Sequence, residues 1–277
     1  MYSLTQSVRI RGSAGEPIPN PFKSLSRMEY EFRRGEFSLA VAGPGTGKSI
    51  VALNLATYGN IPCLYFSADS TAATQVARAA AMITGDDSKK VKAALLAGEF
   101  EHYRKALGER WWLRFNFSAR PTPSEMEKDL LAFLETFGCL PQLICVDNIT
   151  NVDTGPMSDA ESFSFGLENL SEYLSEMARE TDAHVLGTHH TTGEWSDGLT
   201  PIPLSGIKGK NARVPAGALT IHKEIDDMGG RILNFSPVKN REGFEDSSGK
   251  TFASYRLNRS SLRLEELEEE FPVAFAS

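Results

Sequence analysis

An apolar, strand-like run, Phe37-Ser-Leu-Ala-Val-Ala42, passes directly into Gly43, Pro44, Gly45, Thr46 and Gly47, and then into a helix-like stretch opening with Lys48 and Ser49. Few folds accommodate that succession. A glycine-rich turn between a buried strand and a helix presents consecutive backbone N–H groups, together with the positive end of the helix dipole, to a polyphosphate. Lys48 would then reach the terminal phosphates and Ser49 would hold Mg²⁺. The spacing departs from G-x-x-x-x-G-K-[ST] only at Ala42, which ends the strand and has no need of glycine's conformational freedom. The bland reading, a tight connection and nothing more, does not account for Lys-Ser directly after the last glycine.

Around this turn the chain alternates short β-rich runs with longer amphipathic stretches, the pattern of a mostly parallel sheet flanked by helices. Strands are expected at Phe37–Ala42, Pro62–Ser67, Trp111–Asn116, Gln142–Asp147 and His184–Thr188, with further strands near Ala218–His222, Arg231–Val238 and Thr251–Leu257. Helices are expected over Lys48–Tyr58, Thr71–Ile83, residues 86–110, Pro123–Phe137 (capped through Ser124 and Glu127) and residues 158–180. Residues 191–217, rich in glycine and proline, read as long loops. The expected organisation is an N-terminal arm over 1–25, one α/β core over 26–260 and an acidic tail over 261–277.

The bulk properties fit a single core of this size, with 277 residues, 41% of them hydrophobic. No apolar run approaches the ~18 residues that span a bilayer, and the polar N-terminus lacks a secretory pattern, so a soluble, cytoplasmic protein is expected. Cys63, Cys139 and Cys145 show no paired spacing and read as reduced, mostly buried thiols. A formal charge of −7 excludes a generally basic surface, so any nucleic-acid contact has to come from a local patch. A magnesium-bound triphosphate also wants a carboxylate at the end of a neighbouring strand, and Asp147, after Leu143-Ile-Cys-Val146, meets that description.

The ordered set of motifs resembles the RecA/DnaB superfamily of P-loop ATPases, in particular the ATPase core of DnaB-like replicative helicases in a compact phage or plasmid form, with RadA and KaiC as relatives. The likeness runs from Phe22-Lys-Ser-Leu-Ser-Arg27 and Arg34-Gly-Glu-Phe37 to about residue 260. It implies a RecA-like fold, ATP and Mg²⁺ as ligands, and catalysis at subunit interfaces. Leu64-Tyr-Phe-Ser-Ala-Asp69 resembles the strand that ends in the general base, here Asp69 where glutamate is usual; the alternative is that Asp69 caps the next helix. His189, with His190 as alternative, resembles the polar sensor of the γ-phosphate. Lys239-Asn-Arg241 resembles the basic pair inserted into a neighbouring subunit's site, the alternative being a decorated strand edge.

In the same frame Lys208, Lys210 and Arg213 lie in a glycine-punctuated stretch suited to a single-strand backbone, or to a solvated surface loop. The implied function is an ATP-driven motor on single-stranded DNA, assembled as a homo-oligomer, most simply a hexamer, with replication or recombination proteins as further partners. A RecA- or RadA-like recombination ATPase and a nucleotide-gated DNA-binding scaffold with little turnover are the competing functions.

Overall fold

The computed structural model describes residues 15–155 and 160–267, without the side chains of 160–165 and Lys210. The described residues form one nine-stranded sheet. In chain order its strands are β1 (Phe37–Ala42), β2 (Cys63–Ser67), β3 (Leu113–Asn116), β4 (Leu143–Asp147), β5 (His184–His190), β6 (Gly217–Ile225), β7 (Arg231–Asn240), β8 (Ala253–Leu257) and β9 (Leu264–Glu266). Their spatial order is β3-β2-β4-β5-β1-β6-β7-β8-β9. Pairing is parallel from β3 through β6 and antiparallel from β6 to β9. The expected α/β class with a mostly parallel, helix-flanked sheet is what the chain adopts.

Side chains alternate across each strand, and the two parities feed two cores. Ala40 and Ala42 of β1, Tyr65 of β2, Cys145 of β4 and Leu186 of β5 meet the helix α2 (Lys48–Tyr58), through residues such as Val51 and Leu55. Leu39 and Val41, Phe66, Val146 and Val185 meet α6 (Pro123–Phe137) and α7 (Ala160–Thr181) on the opposite face, through Leu130, Phe133, Leu170 and Leu174. Burying each valine, leucine or phenylalanine among them contributes roughly 1.5–3 kcal/mol. A sheet covered on both faces explains why the parallel strands read as continuous apolar runs and not as alternating ones. The helices α3 (Ala72–Thr84), α4 (Ser88–Leu96) and α5 (Glu101–Gly108) build a smaller cluster around Ala81, Val91 and Tyr103.

Four details differ from expectation. The described part of the expected arm, residues 15–25, belongs to the core: Ile18, Phe22 and Leu25 are buried, Pro17 bridges Arg33, and α1 spans Lys23–Arg27. Proline and glycine punctuate this segment, but Phe22 packs edge-on against Phe235 and Tyr255 and draws it in. The sheet also runs past residue 260, because β9 pairs with β8. Helix α6 is capped by Thr122 and Glu125 in a capping box, with Pro123 in the first turn where its missing N–H costs nothing. Cys139 is exposed, whereas Cys63 and Cys145 are buried. Residues 1–14 and 268–277, the remainder of the expected arm and tail, lie outside the described residues. Among the described residues no helix is long and apolar enough to cross a membrane.

Candidate active site

The turn between β1 and α2 sits at the carboxyl end of the central parallel strands, the edge where open α/β sheets bind ligands. Gly45 and Gly47 have φ of +69° and +134°, conformations that a residue with a Cβ adopts only under strain. Gly43 is needed for a different reason, since a Cβ there would run into the Ser196 carbonyl. The segment Trp195–Gly198 thus lies directly against the turn. Inside it, the Thr46 hydroxyl is buried without a hydrogen-bond partner. Lys48 is 8% exposed, and among the described residues its ammonium has neither hydrogen-bond nor ion-pair partner. An unpartnered ammonium and a buried, orphaned hydroxyl beside a helix N-terminus together suit an anion. A polyphosphate fits.

Asp147 is wholly buried at the end of β4. Its carboxylate accepts hydrogen bonds from Ser49 Oγ at 3.1 Å, Thr188 Oγ1 at 2.6 Å and Tyr65 Oη at 3.0 Å. Burial, and then the charge of Asp147, hold the Tyr65 phenol well above its usual range, so it stays a donor. Three hydroxyls but no cation face the carboxylate among these contacts. Ser49 and Asp147 form the hard-oxygen pair that Mg²⁺ prefers, so the residues present fit that ion.

Asp69 follows β2. Its carboxylate accepts from the side-chain amides of Asn148, at 2.8 Å, and Asn151. The helix-cap alternative is not what the structure contains, because the N-cap of α3 is Thr71. Asn148 also donates to His190 Nε2 at 3.0 Å, so Asp69, Asn148 and His190 form one chain of contacts. Asn148 escaped the sequence reading; its place directly after Asp147 was the available signal.

The two histidines part company by strand parity. Thr188 points to Asp147, and His190, two residues on, shares that face. His190 is half-buried, and burial followed by the charge of Lys48 lowers its pKa, so it is a neutral imidazole near the cradle. His189 points away: it is fully buried, its Nε2 meets the Lys208 carbonyl at 2.8 Å, and burial lowers its pKa to about 4 against the opposing pull of that carbonyl. The geometry therefore brings His190, not His189, to the face that carries Asp147 and Asp69.

Lys239 and Arg241 lie far from this chain's own cradle. Lys239 pairs with Ala218, which is level with Leu39, so it sits three residues below Ala42, roughly 10 Å along the strand, and two strands over. Its ammonium donates to the carbonyls of Ala212 (2.7 Å) and Arg213 (2.8 Å), and Arg241 reaches the Val214 carbonyl at 3.4 Å. The pair does project to one side, toward the loop that carries the other expected cations. In that loop Lys208 is exposed, while Arg213 pairs with Glu168 of α7, an acid that the loop's own sequence did not reveal. The Lys210 side chain is outside the described residues.

A family model described as an AAA domain matches residues 20–194. The Gene 65 protein of Mycobacterium phage L5 is 43% identical over 264 residues, covering 95% of this chain and 98% of the phage protein. The Gene 65 protein of Mycobacterium phage D29 is 42% identical over 230 residues, or 83% and 99% of the two chains. Among solved structures, an ATPase domain superposes with a TM-score of 0.76 at 18% identity over 91% of each chain. A DnaB-like replicative helicase, studied with its interactions with primase, superposes with a TM-score of 0.75 at 16% identity over 96% of this chain and 67% of its own. At those identities the structural matches speak to fold.

Proposed function

The chain belongs to the AAA-domain family, within the RecA/DnaB superfamily of P-loop ATPases, and on that premise we propose that it is an ATP-dependent motor of the DnaB-like class that translocates on single-stranded DNA. One observation carries the nucleotide half of this reading: the unpartnered Lys48 ammonium beside the Ser49–Asp147 pair. Gly43 to Gly47 and Lys48 hold the triphosphate, and Ser49 with Asp147 holds Mg²⁺, which when bound neutralises charge on the phosphates. Asp69 orients the attacking water and accepts its proton, with Asn148 and Asn151 fixing the carboxylate. His190 reports the γ-phosphate, and His189 joins the same strand end to the loop at Lys208.

Lys239 and Arg241 act on a neighbour's nucleotide in this scheme. Their distance from their own cradle supports it, and it makes turnover a property of a homo-oligomer, a hexameric ring in the simplest form. Lys208, Lys210 and Arg213 meet the DNA backbone. A nucleotide-gated scaffold with little turnover is the second reading, favoured by the two amides that occupy Asp69.

Release of phosphate with and without single-stranded DNA, alongside displacement of an annealed strand from a fork, tests the proposal. Both should require ATP hydrolysis. Lys48→Ala should abolish both, and Arg241→Ala should bind ATP without turning it over. Mixing those two inactive chains should restore part of the activity if the finger works in trans. Tight ATP binding with negligible phosphate release by the wild-type chain would leave the scaffold instead.

A further inference from the structure

A cavity of about 460 Å³ opens beside the cradle, with Gly45, Gly47, Lys48 and Ser49 on its inner side. Its remaining wall carries five cations drawn from four separate elements: Arg78 of α3, Lys89 and Lys92 of α4, Arg231 at the start of β7, and Arg259 in the turn between β8 and β9. Among the described residues no carboxylate lines it. Among the described residues none of the five forms an ion pair; Arg78 and Lys92 touch only the hydroxyls of Ser70 and Thr74. The chain holds 36 acidic residues against 29 basic ones, so an acid-free wall is not a sample of its average surface. A solvated helix face would also not gather cations from two helices and the far edge of the sheet.

A magnesium-bound triphosphate carries a net charge of only about −2, and Lys48 with the backbone amides already meets it at the cradle. Five further cations around the adjoining space call for more negative charge than that ligand carries. Ala77, Leu257 and Leu262 offer apolar surface for a nucleoside in the same cavity. Resting on the nucleotide reading above, we propose that this cavity takes a nucleotide bearing a second phosphate on its ribose, beyond the 5′ chain, with Arg78 and Arg231 as its principal contacts. These two residues are half-buried, come from separate elements, and can each grip a phosphate with two N–H donors.

The test is displacement of a fluorescent ATP analogue from the full chain by adenosine 3′,5′-bisphosphate, by AMP, and by AMP mixed with free inorganic phosphate. The bisphosphate should compete about tenfold or more better than AMP, and free phosphate should give AMP no such gain. Changing Arg78→Gln and Arg231→Gln together should bring the bisphosphate-to-AMP ratio near one, a ratio taken within each protein so that any general weakening cancels. Equal competition by bisphosphate and AMP in the wild-type chain would overturn the proposal, as would a full gain from free phosphate or a preference that survives the double substitution. Failure of the ATP analogue itself to bind would strike the nucleotide reading instead.

Discussion

Acid should destabilise this fold well above the pH at which carboxylates titrate, and His184 is the clearest cause. Its ring is buried at the start of β5, with Nδ1 donating to the Arg33 carbonyl at 2.9 Å, Nε2 facing Ser38 Oγ of β1 at 2.8 Å, and Phe32 packed edge-on at 5.2 Å. Burial lowers its pKa from 6.5 to about 4, outweighing the Arg33 carbonyl, which pulls the other way. The unfolded chain therefore takes up a proton below pH 6.5 that the folded chain refuses until about pH 4, so stability rises with pH across that window and falls as pH drops through it. At pH 5, 1.5 pH units below the unfolded value, the loss relative to neutral pH is about 2 kcal/mol. His189, lowered equally far, adds a similar amount. Against a typical domain stability of roughly 5–15 kcal/mol that is a large share. Urea unfolding followed by circular dichroism at pH 7.5 and pH 5.0 measures it. Asp246 does not confuse the result: desolvation is outweighed by hydrogen bonds from Ser248 and Thr251, which lower its carboxyl from 3.8 to about 2, so its contribution is lost only below pH 3.8. His184→Gln should lower stability at pH 7.5 yet shrink the pH-linked loss by about 2 kcal/mol. Flat stability between the two pH values, or the same loss in His184→Gln as in the wild type, would refute the reasoning.

Three further outcomes are expected. Asp147→Asn keeps the shape of the hydrogen-bonded group while removing its charge, so phosphate release in Mg²⁺ should fall by about a hundredfold or more while ATP binding in EDTA survives. His190→Ala should reduce turnover at least ~10-fold with DNA affinity unchanged, whereas His189→Ala, which frees the Lys208 carbonyl, should act chiefly on DNA affinity; the reverse pattern would return the sensor role to His189. Glu168→Ala releases Arg213 and should tighten single-stranded DNA binding while steepening its salt dependence by about one unit of slope, whereas an unchanged slope in filter binding would remove Arg213 from the interface.

What could be read from the residues in order is what depends on neighbours in the chain. The cradle was legible because a turn that requires positive φ at Gly45 and Gly47 admits little but glycine, and Asp147 because an apolar strand ending in a carboxylate is a local pattern. Even the cap of α6 was available: Thr122 and Ser124 both have glutamate three residues on, and Pro123, which belongs in a first turn, favours Thr122. The tertiary structure decided the rest. Parity across β5 set His190 on the face of Asp147 and His189 on the other, and strand pairing with β6 placed Lys239 and Arg241 away from this chain's own glycine-rich turn. Packing against Phe235 and Tyr255 turned residues 15–25 from an arm into core, and four distant elements converged to leave a cavity walled with cations. Local backbone geometry is set by residues within a turn of one another, whereas facing, convergence and charge balance are set by which distant strands share hydrogen bonds, and no short stretch of sequence carries that.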